Sequence, residues 1–406
     1  MTQKTADMLD TLREIETAVM GLFRAAGSEQ VAPEILQPAD PFLDRLGENI
    51  RARTYVFTDP GGEELCLRPD LTLPVARIYL ARNPDCRTPR CYAYSGPAFR
   101  YQAPWAGGSG SRAGETGSPA PAHPREFEQI GIECFHDKDR EAADARITGL
   151  SARALREAGI ETFSLRLGDP GLFRALLEQI DMPPRWRRRL LHKFWRPDAF
   201  HSLLLSLASH GEAARAASRE TDILEDLASL SLDDVARRID KTLESRNIPL
   251  FGGRSVEEIA ARLLEHAADR AAEPLAEAQM RNIQNYLQIS GEPRQCLEDI
   301  TQLVKGEGID LETPLAAFAR RLDLLEKQGF DLAAAVFDTE FGRRFEYYSG
   351  FVFQLEAAPG LCDGPLAGGG RYDELLQDLG APCKVPAIGA ALHPERIAAA
   401  REGRAL

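Results

Sequence analysis

No apolar run in this sequence approaches the ~20 residues that a membrane-spanning helix needs. The start, Met1-Thr2-Gln3-Lys4, has no secretory character. Both absences point to the cytoplasm and away from a membrane. Positive charge is short as well: 49 Lys and Arg stand against 62 Asp and Glu, a net charge of −13. That balance disfavours wrapping a polyanion, so no nucleic-acid partner is expected. Cys66, Cys86, Cys91, Cys134, Cys296, Cys362 and Cys383 are odd in number and scattered, with neither zinc-site nor disulfide-framework spacing. Reduced, packed thiols follow. The seven histidines form no metal-like pair, and neither metal nor cofactor is expected. What remains, 44% hydrophobic and 27% charged over 406 residues, describes a globular chain large enough for two structural units.

The chain is organised around residues 94–133. Tyr94 to Tyr101 and Arg125 to Glu133 each alternate polar and apolar residues over strand length, so the pair reads as an antiparallel hairpin. On the second arm Phe127, Gln129 and Glu133 share one face. Two polar groups there suit either a salt-bridged surface or the wall of a polar cavity. Between the arms, residues 103–124 are rich in Gly, Ser, Ala and Pro, with Arg112 the only Lys or Arg. Such a composition buries little apolar area.

Before the hairpin, Met8, Leu12, Ile15, Val19 and Phe23 predict an amphipathic helix closed at Gly27. Glu34 to Pro38 reads as a short extended piece. Arg68-Pro69-Asp70-Leu71-Thr72 stands where a strand turns into a helix, so Asp70 and Thr72 suit either helix capping or a ligand amine. After the hairpin a helix over 139–159 and a strand over 162–167 follow. Residues 171–310 read as helices only, with a capping box at Ser255-Val256-Glu257-Glu258. Their one basic cluster, Arg185 to Arg196 with Trp186 and Trp195, suits a solvated face, an acidic partner surface or RNA phosphates. Beyond it lie Arg343-Arg344-Phe345-Glu346-Tyr347-Tyr348-Ser349-Gly350, Gly368-Gly369-Gly370-Arg371-Tyr372-Asp373 and Pro386 to Leu392.

These blocks together resemble class II aminoacyl-tRNA synthetases, closest to histidyl-tRNA synthetase. The hairpin is similar to the second class II motif, Glu34–Pro38 to the proline-ended first motif of the dimer interface, and residues 386–392 to the third. The resemblance implies an α+β fold: an antiparallel sheet flanked by helices, formed by residues 1–170 and 311–406, with an all-helical insertion at 171–310. It also implies a histidine site of Asp70, Thr72, Arg100, Gln129, Glu133, Arg343, Tyr347 and Tyr348, the first acid, Thr72 and Gln129 on the amine, Glu133 and a tyrosine on the imidazole.

Features that the resemblance assigns to ATP and tRNA are altered. Gln102 replaces an acid, the loop is poor in charge, and no anticodon-binding domain follows. In the third motif the position of the phosphate-gripping arginine falls on Leu392, with Arg396 four residues late. A chain that keeps an amino-acid pocket without that apparatus resembles the ATP phosphoribosyltransferase regulatory subunits, synthetase-like proteins of histidine biosynthesis. That family implies a subunit without catalysis of its own, a homodimer paired with a short-form catalytic ATP phosphoribosyltransferase and responsive to L-histidine. An active synthetase-like ligase is the rival reading, and a free-standing amino-acid-binding protein a third.

Overall fold

The computed structural model describes residues 5–45, 51–101, 125–194, 196–216, 230–246, 255–342, 347–362 and 364–403. The first helix, α1 (Ala6–Ala25), buries Leu12, Ile15, Val19, Met20 and Phe23, the stripe that its spacing predicts. Thr5 caps its start, and Gly27 follows its end at a positive φ of 90°. The chain then contributes β1 (Glu29–Gln30), β2 (Leu36–Pro38), a short helix α2 (Asp40–Arg45), β3 (Tyr55–Thr58) and β4 (Glu64–Leu67). Strands β2, β4 and β3 form a three-stranded sheet of their own. Helix α3 (Thr72–Arg82) leads to the hairpin, β5 (Arg90–Phe99) and β6 (Glu126–Phe135). Its arms pair antiparallel from Arg90↔Phe135 to Phe99↔Glu126.

Helix α4 (Arg140–Glu157), capped by Asp139, follows, then β7 (Ser164–Gly168) and helix α5 (Pro170–Gln179). The last segment supplies β8 (Ser290–Gly291), β9 (Val336–Asp338), β10 (Val352–Glu356), β11 (Ala367–Arg371) and β12 (Ala387–Leu392). The large sheet runs β1-β5-β6-β12-β11-β10-β7-β9-β8. It is mixed rather than purely antiparallel, because β1 joins β5 and β9 joins β7 in parallel. Strand β6 lies inside the sheet and is buried on both faces from Gln129 to Phe135, with α3 packed against the face of Phe127 and Phe135 and α1 and α4 packed together on the sheet. Aromatic side chains dominate the core on the site's side, among them Tyr79, Tyr92, Tyr94, Phe127, Phe135 and Tyr372. Mixed sheet and helices together make the fold α+β.

The chain divides into two compact units, Met1–Leu176 with Tyr286–Leu406, and Leu177–Asn285. The division lies at 176/177 and 285/286, whereas the sequence pattern put it at 170/171 and 310/311. The difference at the far end has a plain cause: β8 pairs with β9, and the helix Pro293–Gly306 packs against β8 and β9. Among described residues the second unit is helical, with Val235, Ala260 and Ala267 at a small apolar centre. Its capping box forms as read: Ser255 Oγ accepts from the Glu258 amide while Glu258 accepts from the Ser255 amide.

Two expectations need correction. The basic cluster is not one solvated face. The Arg185 and Arg189 guanidiniums and the Trp186 indole N–H all donate to Asp269, which is 3% exposed, within the helical unit. Burial pushes the Asp269 carboxyl upward, and those three donors outweigh it and hold it low. Arg187 turns instead onto the Leu177 and Ile180 carbonyls, and Trp195 lies outside the described residues. The thiols are not all reduced either. Cys91 and Cys134 face each other across the hairpin and form a disulfide, while Cys66, Cys86, Cys296, Cys362 and Cys383 are free.

Candidate functional site

Glu133 is the centre of the site, 1% exposed on an interior strand. Its Oε1 accepts from the Thr72 hydroxyl at 2.7 Å and the Tyr94 hydroxyl at 3.1 Å, and its Oε2 from the Tyr372 hydroxyl. Glycines make the room. Opposite Glu133 on β12 stands Gly389, where an added Cβ would meet Glu133 Oε2 at 1.5 Å. Opposite Tyr94 stands Gly131, where one would meet the Tyr94 ring and hydroxyl at 2.3 Å. Any side chain at either position displaces the carboxylate or the ring.

Asp70 is the second carboxylate, 6% exposed, at the turn into α3. It caps that helix through the Leu73 amide, so the structural role proposed for it is real. Burial raises the Asp70 pKa, and Arg100 opposes the rise. Burial likewise lifts Glu133 to about 7, with its three hydroxyl donors pulling the other way and Asp70 adding to the rise. Two buried acids whose charges act on each other call for a cation.

Gln129 lies on the same face of β6, 4% exposed, and its Oε1 has no hydrogen-bond partner among the described residues. A buried amide oxygen left unpaired costs about 1–3 kcal/mol. Tyr347 and Tyr348 complete the wall. Their rings lie 4.7 Å apart, and Tyr347 stands edge-on to Tyr372 at 6.0 Å. Burial raises both phenols, and the charges of Asp70 and Glu133 push them the same way.

Arg100 leaves β5 over the Phe127 ring at 4.8 Å and donates to the Pro69 carbonyl. Burial lowers its pKa, and Asp70, Tyr347, Arg53 and Arg396 all act on it electrostatically. The arrangement is thus a buried acidic cluster lined by tyrosines, with a cationic flank.

Of the eight residues singled out from sequence, seven come together here: Asp70, Thr72, Arg100, Gln129, Glu133, Tyr347 and Tyr348. Arg343 lies outside the described residues, as do Gln102 and the loop 103–124. The Thr72 hydroxyl donates to Glu133, and its lone pairs remain able to accept from an amine. Tyr94 and Tyr372 were missed as partners of Glu133. Tyr372 did carry a signal, its place in the Gly-Gly-Arg-Tyr-Asp block.

The third motif-like segment also needs correction. Leu392 is fully buried within β12, paired with Ile130 and Ala367, where no phosphate-gripping side chain would stand. Arg396, in the first turn of the helix Pro394–Glu402, donates to the Pro365 carbonyl at 3.0 Å and acts on Arg100 only through its charge.

Comparisons with known proteins fit this geometry. Residues 6–249 and 254–397 match the family model for histidyl-tRNA synthetase. An ATP phosphoribosyltransferase regulatory subunit of Chelativorans sp. is 35% identical over 369 residues, covering 90% of this chain and 92% of its own. One from Mesorhizobium japonicum is 33% identical over 390 residues, covering 96% and 97%. Among solved structures, an ATP phosphoribosyltransferase regulatory subunit/histidyl-tRNA synthetase from Bacillus halodurans superposes with a TM-score of 0.64. It shares 21% identity and covers 98% of this chain and 81% of its own, a likeness of fold. A histidine–tRNA ligase subunit from Alicyclobacillus acidocaldarius gives a TM-score of 0.58 at 22% identity, with 99% and 96% covered. On the match to the family model and to these relatives, the chain belongs to the ATP phosphoribosyltransferase regulatory subunit family, built on the histidyl-tRNA synthetase fold.

Proposed function

We propose that this chain is a regulatory subunit of ATP phosphoribosyltransferase, the enzyme of the first step of L-histidine biosynthesis, and that it binds histidine without catalysing a reaction itself. The carrying observation is the pair of buried carboxylates, Asp70 and Glu133, set beside the unpartnered Gln129 Oε1 inside a tyrosine wall. L-Histidine supplies what each lacks: an ammonium for Asp70 and Gln129, and a ring N–H for Glu133. Thr72 acts by fixing Glu133, and Arg100 suits the amino acid's carboxylate. The chain acts as a homodimer in the cytoplasm, beside a short-form catalytic subunit. The apolar residues Ile35, Leu36, Val56 and Phe57, each about two-fifths exposed or more on or beside the three-stranded sheet, support self-association there. The test mixes the chain with that catalytic subunit, ATP and phosphoribosyl pyrophosphate, with and without histidine. A rise in turnover that histidine reverses is expected. Failure to co-elute, with no change in rate, sinks the proposal.

A second reading has a specific observation behind it. Arg396 and Arg100 act on each other beside the site, an arrangement that suits a triphosphate and so a synthetase-like ligase. Histidine-dependent pyrophosphate exchange decides between them. None above background is expected, and clear exchange by the chain alone would favour the ligase.

A further inference from the structure

The disulfide Cys91–Cys134 lies one rung from the centre of the site. Cys91 pairs with Cys134 in the hairpin, and the next rung pairs Tyr92 with Glu133. Alternation along the strand sends the Cys134 side chain to the face opposite Glu133. There the Arg146 guanidinium of α4 approaches both sulfurs, at 4.0 Å from Cys91 and 3.9 Å from Cys134, while its other nitrogen meets Asp137 at 3.0 Å. The two sulfurs are unequal. Cys134 is 1% exposed, whereas Cys91 is partly open to solvent. A half-open sulfur whose partner faces a cation is set for exchange: a thiolate attacks the reachable one, and the other leaves as an anion that the cation stabilises.

We infer that Cys91–Cys134 is a thiol–disulfide exchange site for an external dithiol, and that its state sets how firmly the hairpin holds Glu133. One thiolate of the dithiol attacks Cys91 Sγ, the Cys91–Cys134 bond breaks, and Cys134 departs as a thiolate beside Arg146. The second thiolate of the dithiol then attacks the mixed disulfide and expels Cys91. The chain gains two electrons and two protons, and the dithiol becomes a disulfide. With the bridge closed, the Cys91–Cys134 rung pins β5 to β6 beside Glu133, so Tyr94 and Glu133 are held in place before a ligand arrives. Opening it releases that constraint. The effect on the ligand rests on the histidine reading above; the exchange and the loosening do not.

The experiment alkylates the whole chain under denaturing conditions, before and after treatment with dithiothreitol. Five labelled cysteines are expected before and seven after, from the five free thiols and the bridged pair. Seven labels in the untreated protein overturn the inference. Hydrogen exchange at amides 91–99 and 126–135 is then compared between the two states, with Cys91→Ser as an independent open form. Faster exchange in the open forms is expected, and identical protection overturns the loosening whether or not histidine binds. Calorimetry with L-histidine should give about fivefold weaker binding to the reduced protein, the low end of ordinary coupling. Equal affinity in both states overturns the link to the site. Arg146→Gln should slow opening by dithiothreitol, and an unchanged rate removes Arg146 from the exchange.

Discussion

Glu133 carries most of what the site does, because its carboxyl titrates where a histidine side chain titrates. Buried, it has a pKa of about 7, and an ordinary imidazole has one of about 6.5. Bound as a carboxylate–imidazolium pair, or as the equivalent carboxylic acid–imidazole pair, the Glu133 contact holds one titratable proton. Below about pH 6.5 both free partners are protonated, so one proton must leave on binding and affinity falls as pH drops. Above 7 neither is, so one must be taken up and affinity falls as pH rises. Calorimetric titration of the parent with L-histidine should therefore peak between those values. In Glu133→Gln the alkaline fall should vanish while the acid fall remains. Affinity at the peak should drop about tenfold, as for losing a hydrogen bond to a charged group. A parent profile flat from acid to alkaline pH would put the imidazole elsewhere. At this scale much was legible. Period-two alternation put Gln129 and Glu133 on one face without further knowledge. Tyr94 and Tyr372 were not legible as donors to Glu133, because Tyr94 reaches it from the neighbouring strand and Tyr372 from just past the end of β11, and no local pattern encodes such a reach.

At the scale of elements, the sheet is tied to its helices by buried charge as well as by packing. Arg371 on β11 donates to Asp144 on α4 through two nitrogens and to Asp373 through the third. Arg321 donates to Asp144 and to Asp169, which stands just before α5, and its guanidinium lies 4.9 Å from the Phe351 ring. Asp144 is fully buried and Arg371 2% exposed. Breaking one member leaves a buried charge without its partner, which typically costs about 3–5 kcal/mol. Arg321→Met should lose stability of that order in the denaturant transition of the sheet unit. Adding Asp169→Asn should recover part of the loss, since the orphaned charge is then gone. A loss below about 1 kcal/mol would show the bonds to be dispensable. Element positions were largely readable from apolar spacing, as in α1 and the hairpin. Register was not. The disulfide depends on Cys91 meeting Cys134, and arms parted by residues 100–125 have no turn chemistry to fix that pairing.

For the whole molecule, the family supplies a constraint that can be measured without knowing the path between sites. If histidine on this chain alters the catalytic subunit, it does so by favouring one state of the complex over another. Binding free energies then obey reciprocity: the factor by which histidine changes the subunit–subunit dissociation constant must equal the factor by which the catalytic subunit changes histidine affinity. Couplings between sites are usually about 1–3 kcal/mol, a factor of roughly 5–150, well within reach of calorimetry. The prediction is that histidine affinity of this chain, measured with saturating catalytic subunit, shifts by the same factor as the association constant measured with saturating histidine. Glu133→Gln should weaken histidine binding and leave association without histidine unchanged, because Glu133 is enclosed by Thr72, Tyr94 and Tyr372 and offers no surface to a partner. Unequal factors would mean that histidine acts at more than this pocket, and a Glu133→Gln chain that no longer associates would make the pocket part of the fold's support for the partner.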